Sequence, residues 1–177
     1  MATIAWFTGL SGAGKSSIAT LATAQLQQSG YRVLVLDGDA VRQLSHRHLG
    51  FDAPDIIENN RLIAMRCREA GNLYDFVLVP IISPFRLSRA AAKASIGSDF
   101  IEVYIHASLN EVMRRDPKGL YKQVSEGKLS GFIGIAPEVP YEPPEHPDII
   151  LDTEAGDVNS CARQLTSFLE AARSRKT

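Results

Sequence analysis

The chain carries only two cysteines, Cys67 and Cys161, and their spacing fits no metal-binding pattern. That excludes a disulfide or zinc scaffold and leaves two buried thiols, as expected in a reducing compartment. An excess of charge is also missing: 19 Lys+Arg stand against 20 Asp+Glu. A general nucleic-acid scavenger or a polybasic membrane binder is thereby excluded, though a small anion needs only local positive charge. The longest apolar runs, such as Phe76 to Ile82, are far too short to span a bilayer. No basic stretch precedes the strand-like run Ile4-Ala5-Trp6-Phe7, so no signal peptide is expected and the cytoplasm is the expected location. Repeats and low-complexity segments are absent too.

What remains is an ordinary globular composition, 45% apolar and 22% charged over 177 residues. That is one domain's worth of chain, and it buries about 70% of its unfolded surface without any staple. Short apolar runs alternate with helical periodicity. Strands are expected at Ile4 to Thr8, Arg32 to Leu36, Phe76 to Ile82, Phe100 to Ile105 and Asp148 to Leu151. The second of these, nearly all apolar, reads as buried on both faces. Helices are expected at Lys15 to Ser29 with Gly30 as a C-terminal cap, and at Asp55 to Ala70 ending on Gly71. Ser83-Pro84 reads as an N-cap and first helical residue, opening a helix through Ala94. Ser108 to Glu111 fits a capping box, and Asp157 to Arg173 an amphipathic closing helix. This alternation predicts an α/β domain, a parallel sheet with helices on both faces. Ligands then bind outside the carboxyl ends of the strands.

One stretch breaks the rhythm. Arg115 to Pro147 holds Gly119, Gly127, Gly131 and Gly134, a proline cluster from Pro137 to Pro147, and Lys118 and Lys122 near its start. A segment of residues 115–147 inside a single domain of residues 1–177 reads as a mobile lid, its cations suited to closing over phosphates.

The strongest motif is Gly9-Leu10-Ser11-Gly12-Ala13-Gly14-Lys15-Ser16, which matches G-x-x-x-x-G-K-[ST]. The glycines let several backbone N–H groups point at one anion, and the following helix adds its positive end. Lys15 reaches β- and γ-phosphate oxygens, and the Ser16 hydroxyl suits Mg²⁺. Gly9, Ser11, Gly12, Ala13, Gly14, Lys15, Ser16 and Ser17 are therefore the expected ATP-binding set, with ATP as co-substrate. The second strand ends at Leu36-Asp37-Gly38-Asp39, with Arg42 after it. Carboxylates there can hold Mg²⁺, or accept a hydrogen bond from an attacking hydroxyl, and Arg42 suits an anionic acceptor. His46 and His48 lack further ligands nearby and read as solvated.

These residues resemble the adenylylsulfate kinase family from Ile4 to about Thr153. The landmarks are Gly9 to Ser16, Leu36 to Asp39 with Arg42, Leu49-Gly50-Phe51, Glu58-Asn59, Ile82 to Arg86, Glu102-Val103-Tyr104, Arg115 to Lys122, Gly131 to Ile135 and Pro140-Tyr141-Glu142. The resemblance implies a P-loop, three-layer fold and transfer of the γ-phosphoryl of MgATP to the ribose 3′-hydroxyl of adenosine 5′-phosphosulfate. It further implies that Asp39 orients or deprotonates that hydroxyl, and that Arg42 and Asn59 hold the acceptor's 5′ end. Phe51 and Phe132 would sandwich the acceptor adenine, and Ile82 and Ser83 would also belong to the acceptor site. Arg115 would cover the ATP adenine, and Lys118 and Leu120 would close over the acceptor. The family often assigns Ser83 as a phosphoserine intermediate, although direct in-line transfer needs none. Sulfate assimilation and a homodimer are implied as well, with no nucleic-acid or membrane partner.

The chain departs from the family where the acceptor's 5′ end would bind. Ile56 follows Asp55 in place of an Arg, Arg61-Leu62 replaces a pair of arginines, and Ala136 to Val139 lengthens the lid link. A related kinase for another nucleotide-linked acceptor, a cytidine diphosphate derivative or a nucleotide sugar, is therefore the second reading. A nucleotide-dependent binding module is a third. A GTPase is disfavoured by the lack of an Asn-Lys-x-Asp element.

Overall fold

The computed structural model describes residues 1–38, 41 and 49–175. Its centre is a five-stranded, all-parallel sheet of β1 (Thr3–Thr8), β2 (Val33–Val35), β3 (Phe76–Val79), β4 (Phe100–His106) and β5 (Ile149–Asp152). The strand order is β2-β3-β1-β4-β5. Every residue of β1 and β3 is buried, as strands covered on both faces must be. One face packs Ala5, Phe7, Leu78 and Val103 on α1 (Lys15–Gln28) and the C-terminal helix, through Ile18, Leu26, Leu165 and Leu169. The other packs Ile4, Trp6, Val77 and Val79 on α2 (Ala53–Ala70) and α3 (Arg86–Ile96), through Ile63, Cys67, Ala92 and Ile96. The period-two alternation of β1 thus divides its side chains between two cores. Cys67 and Cys161 are both buried and free, and burial pushes the Cys67 thiol up to about 12.

Several elements differ from the sequence expectation. β2 is shorter and is an edge strand, with Val35 exposed, because its neighbour on only one side is β3. The helix α2 starts two residues early, since the Asp52 carboxylate accepts from the Asp55 N–H and Pro54 suits a first turn. Ser83 does not cap α3: Phe85 is the N-cap, and Ser83 stands upstream at φ 44° with its hydroxyl engaged elsewhere. At α4 (Leu109–Arg115) only half of the capping box forms. Ser108 accepts from the Glu111 N–H, but the Ser108 N–H goes to the Glu154 carboxylate. Glu111 is drawn away by Arg114 and Arg115, whose hydrogen bonds hold its carboxyl down at about 2. The chain closes with α6 (Val158–Ser174), capped by Asp157. Among the described residues, no helix is long and apolar enough to cross a membrane.

The Gly- and Pro-rich segment folds against the sheet. It contains α5 (Leu120–Ser125), whose first-turn N–H groups at Tyr121 and Lys122 are accepted by the Asp116 carboxylate. Tyr121 is buried and donates its hydroxyl to the Ser11 carbonyl at 2.8 Å. Further on, Ile133 and Val139 form a small core with Ile56 of α2. Gly134 is confined to glycine: its φ is +88°, and a Cβ would lie 2.6 Å from the Leu10 side chain.

Candidate active site

The loop between β1 and α1 is held to the neighbouring strands from its first residue. Gly9 donates to the Ile82 carbonyl at 3.3 Å, and a Cβ on Gly9 would stand 2.5 Å from the Ile105 carbonyl oxygen. Only glycine lets the chain pass so close to β4. Gly14 takes a left-handed conformation at the N-terminus of α1, so the helix begins at Lys15 with its first N–H groups facing the loop. The Lys15 ammonium donates to the Gly9 and Leu10 carbonyls at 2.8 and 2.7 Å. Its charge therefore sits inside the cradle. The Ser16 hydroxyl donates to the Asp37 carboxylate at 3.3 Å. The sequence pairs these two as metal ligands, and the fold brings them together from opposite ends of the α1–β2 crossover. A hydroxyl and a carboxylate beside a phosphate cradle suit Mg²⁺, which takes one or two protein oxygens and completes its shell with water and phosphate.

Arg115 is fixed on the same side. Its Nε donates to Glu111 at 2.7 Å, and its two Nη atoms donate to the Thr153 hydroxyl and carbonyl at 3.0 and 2.7 Å. Thr153 in turn donates to Ala13 of the cradle, 3.1 Å away, or to His106. A flat guanidinium, one-quarter exposed, is thus locked beside the P-loop, where it can cover a base.

Tyr121 links the glycine-rich segment to that loop. Burial, with Asp116 nearby, pushes its phenol up to about 12. Ionisation would remove the proton donated to Ser11, so this stability is intact below pH about 10 and is lost as pH rises toward 12. Replacing Tyr121 by Phe is expected to flatten the fall of Tm between pH 10 and 12; an unchanged slope would show that Tyr121 does not titrate with folding.

The acceptor candidates are spread over several segments: before and on α2, past the end of β3, and along the glycine-rich segment. Phe51 is 58% exposed, just before the Asp52 cap. Phe132 is half-buried, its ring edge-on to Tyr121 at 5.1 Å. Asn59 is buried on α2, and Ile82 is half-buried with its carbonyl accepting from Thr8 and Gly9. Leu120 is half-buried at the start of α5, and Lys118 is exposed just before it. Asp39 and Arg42 lie outside the described residues, as do His46 and His48.

Ser83 is buried, and its Oγ accepts from Trp6 Nε1 at 3.0 Å and Asn60 Nδ2 at 2.9 Å. Both lone pairs are thereby engaged. Its carbonyl accepts from Thr8 and Arg89. Trp6, Asn60, Thr153 and Arg89 are members of the site's frame that the motifs do not mark. Arg89 had one sequence signal, a charge on the Arg89-Ala92-Ile96 stripe of α3.

A family model described as adenylylsulphate kinase matches residues 1–152. The chain belongs to the adenylylsulfate kinase family. It is 43% identical over 174 residues to an adenylyl-sulfate kinase of Acaryochloris marina, covering 96% of this chain and 82% of that one. A probable adenylyl-sulfate kinase of Bacillus subtilis is 42% identical over 168 residues, covering 94% and 84%. Among solved structures, the Mycobacterium tuberculosis APS kinase in complex with AMPPNP and APS superimposes with a TM-score of 0.90 at 37% identity, covering 96% and 98%. The family assignment and the P-loop, three-layer α/β fold expected from the sequence thus agree with what the chain resembles.

Proposed function

We infer that this chain is an adenylylsulfate kinase: it transfers the γ-phosphoryl of ATP to the 3′-hydroxyl of adenosine 5′-phosphosulfate, giving 3′-phosphoadenylyl sulfate. The observation that carries this is the P-loop with Lys15 inside it, facing the Ile82–Ser83 turn across a single hydrogen bond from Gly9. In this reading the loop N–H groups and Lys15 bind the phosphates and stabilise the charge that builds on the transferred group. Mg²⁺ would be held by Ser16 and Asp37 and would neutralise charge on the phosphate oxygens when bound. Arg115 covers the ATP base. Asp39 orients the 3′-hydroxyl and takes its proton, while Arg42 and Asn59 hold the phosphosulfate end. Phe51 and Phe132 stack on the acceptor adenine; base–aromatic stacking is worth about 1–3 kcal/mol per contact. Lys118 and Leu120 belong to a lid of residues 115–147 that closes on both substrates and excludes water, so that a hydroxyl and not water accepts the phosphoryl. A homodimer in the cytoplasm serving sulfate assimilation completes the reading.

Ile56 bears on the rival acceptor. It is occupied in packing against Ile133 and Val139, so it brings no charge to the 5′ end. An ADP-release assay with adenylylsulfate, with and without Mg²⁺, tests the main reading. Mg²⁺-dependent turnover is expected. Negligible transfer to adenylylsulfate beside transfer to a cytidine diphosphate derivative or a nucleotide sugar would decide for the rival.

For Ser83 we propose positioning and not covalent transfer, since its hydroxyl already serves two buried donors. Ser83→Ala leaves the Trp6 N–H without its acceptor, at about 1–3 kcal/mol for an unsatisfied buried group, and leaves the Asn60 amide donating only to the Ser88 hydroxyl. Turnover is expected to stay within about tenfold of the parent, since no bond to the serine forms or breaks in direct transfer. A folded Ser83→Ala protein without measurable turnover would restore the phosphoserine.

A further inference from the structure

Arg89 of α3 is 3% exposed, and each of its three guanidinium nitrogens is committed to a different stretch of chain. Nε donates to Glu102 of β4 at 2.7 Å, Nη1 to the Ser83 carbonyl at 2.6 Å, and Nη2 to the Glu142 carbonyl at 2.7 Å. Glu102 is itself only 14% exposed, so the pair is nearly dry. Each partner is tied further. Ser83 leads to Thr8 at the end of β1, and the adjoining Ile82 carbonyl accepts from Gly9 of the P-loop. Glu142 is the return of the glycine-rich segment: its N–H goes to Pro84, its carboxylate accepts from the Arg86 N–H, and the neighbouring Tyr141 hydroxyl lies 3.0 Å from that of Thr8.

We propose that Arg89 is a positioning residue that sets the Ser83 turn and the Glu142 return of the lid segment in one register, and so fixes the acceptor half of the site. This rests on the acceptor reading above. Arginine suits the place because its planar fork can serve three acceptors in fixed directions, whereas a lysine ammonium is a single mobile point. The reason to assign more than stability is where the bonds go: two of the three end on backbone carbonyls of segments that flank the acceptor. Neither of those carbonyls needs a charge to be satisfied, but both need a donor at one fixed place.

The test compares Arg89→Lys, Arg89→Met and the double variant Arg89→Met/Glu102→Leu. The double variant removes both buried charges together, because a lone Glu102 would destabilise the fold by itself. Steady-state kinetics for each substrate are read with thermal unfolding and with hydrogen exchange at the Glu142 amide. The expected result is a KM for adenylylsulfate at least tenfold higher in all three variants, a KM for ATP within threefold of the parent, and faster exchange at Glu142. In the double variant Tm is expected to recover while the acceptor KM does not. Recovery of both would make Arg89 a partner for Glu102 only and overturn the proposal, as would an equal rise in both KM values or an unchanged Glu142 exchange rate. Should the parent enzyme fail to phosphorylate adenylylsulfate, the acceptor reading falls first; the exchange arm still tests whether Arg89 holds the lid return.

Discussion

Lys15→Ala should lower kcat for ADP release by about 10²–10³-fold or more, the loss seen when one preorganised donor to a developing charge is removed. The structure explains why so much falls on one side chain. Lys15 is 8% exposed, and its ammonium is curled into the loop between the Gly9 and Leu10 carbonyls. A charge already placed in a partly dry cradle does not have to be gathered from solvent when phosphates enter. The fold should survive the change. Alanine is a strong helix former at the first residue of α1, and the two carbonyls released lie in a loop that water can reach once the side chain is gone. Thermal unfolding within a few degrees of the parent, with turnover nearly abolished, is the expected pair of readings. Turnover within tenfold of the parent would remove Lys15 from the mechanism.

Asp39→Asn is the second large effect, expected at about 10²–10⁴-fold in kcat, the range for loss of a positioned base. The substitution keeps shape and removes only the negative charge and the proton-accepting oxygen. The case for Asp39 combines sequence and neighbourhood. It lies two residues beyond Asp37, and the Asp37 carboxylate reaches Ser16 at the foot of the P-loop. A base must stand near the γ-phosphate and yet apart from the groups that hold it, and a second carboxylate two residues past the one proposed for the metal suits that need. The KM for ATP should change little, because the proposed phosphate contacts come from the P-loop. Activity retained in Asp39→Asn would rule out the proposed role as base.

The chemistry legible in the sequence is the chemistry carried by neighbours in the chain. Gly9 to Ser16 could be read as a phosphate cradle because its turn, its inward N–H groups and the helix after it are all local. The alternation of strands and helices was legible for the same reason, as was the Ser108 cap, bonded three residues on. The pairing of Ser16 with Asp37 followed from both lying past the carboxyl ends of parallel strands.

What only the tertiary structure decided are the bonds whose partners lie far apart in the chain. Ser83 meets Asn60 across 23 residues and Trp6 across 77, and so leaves the cap of α3 to Phe85. Ile56 is a packing residue because Ile133 and Val139 come to rest on it. Val35 is exposed because strand order, not composition, put β2 at the edge. Arg89 is on an apolar stripe, which marks a conflict, but nothing in its neighbourhood names Ser83, Glu102 and Glu142 as the resolution. A local pattern reports which face of an element seeks burial. It cannot report what that face will meet, since that depends on the order in which distant strands pair.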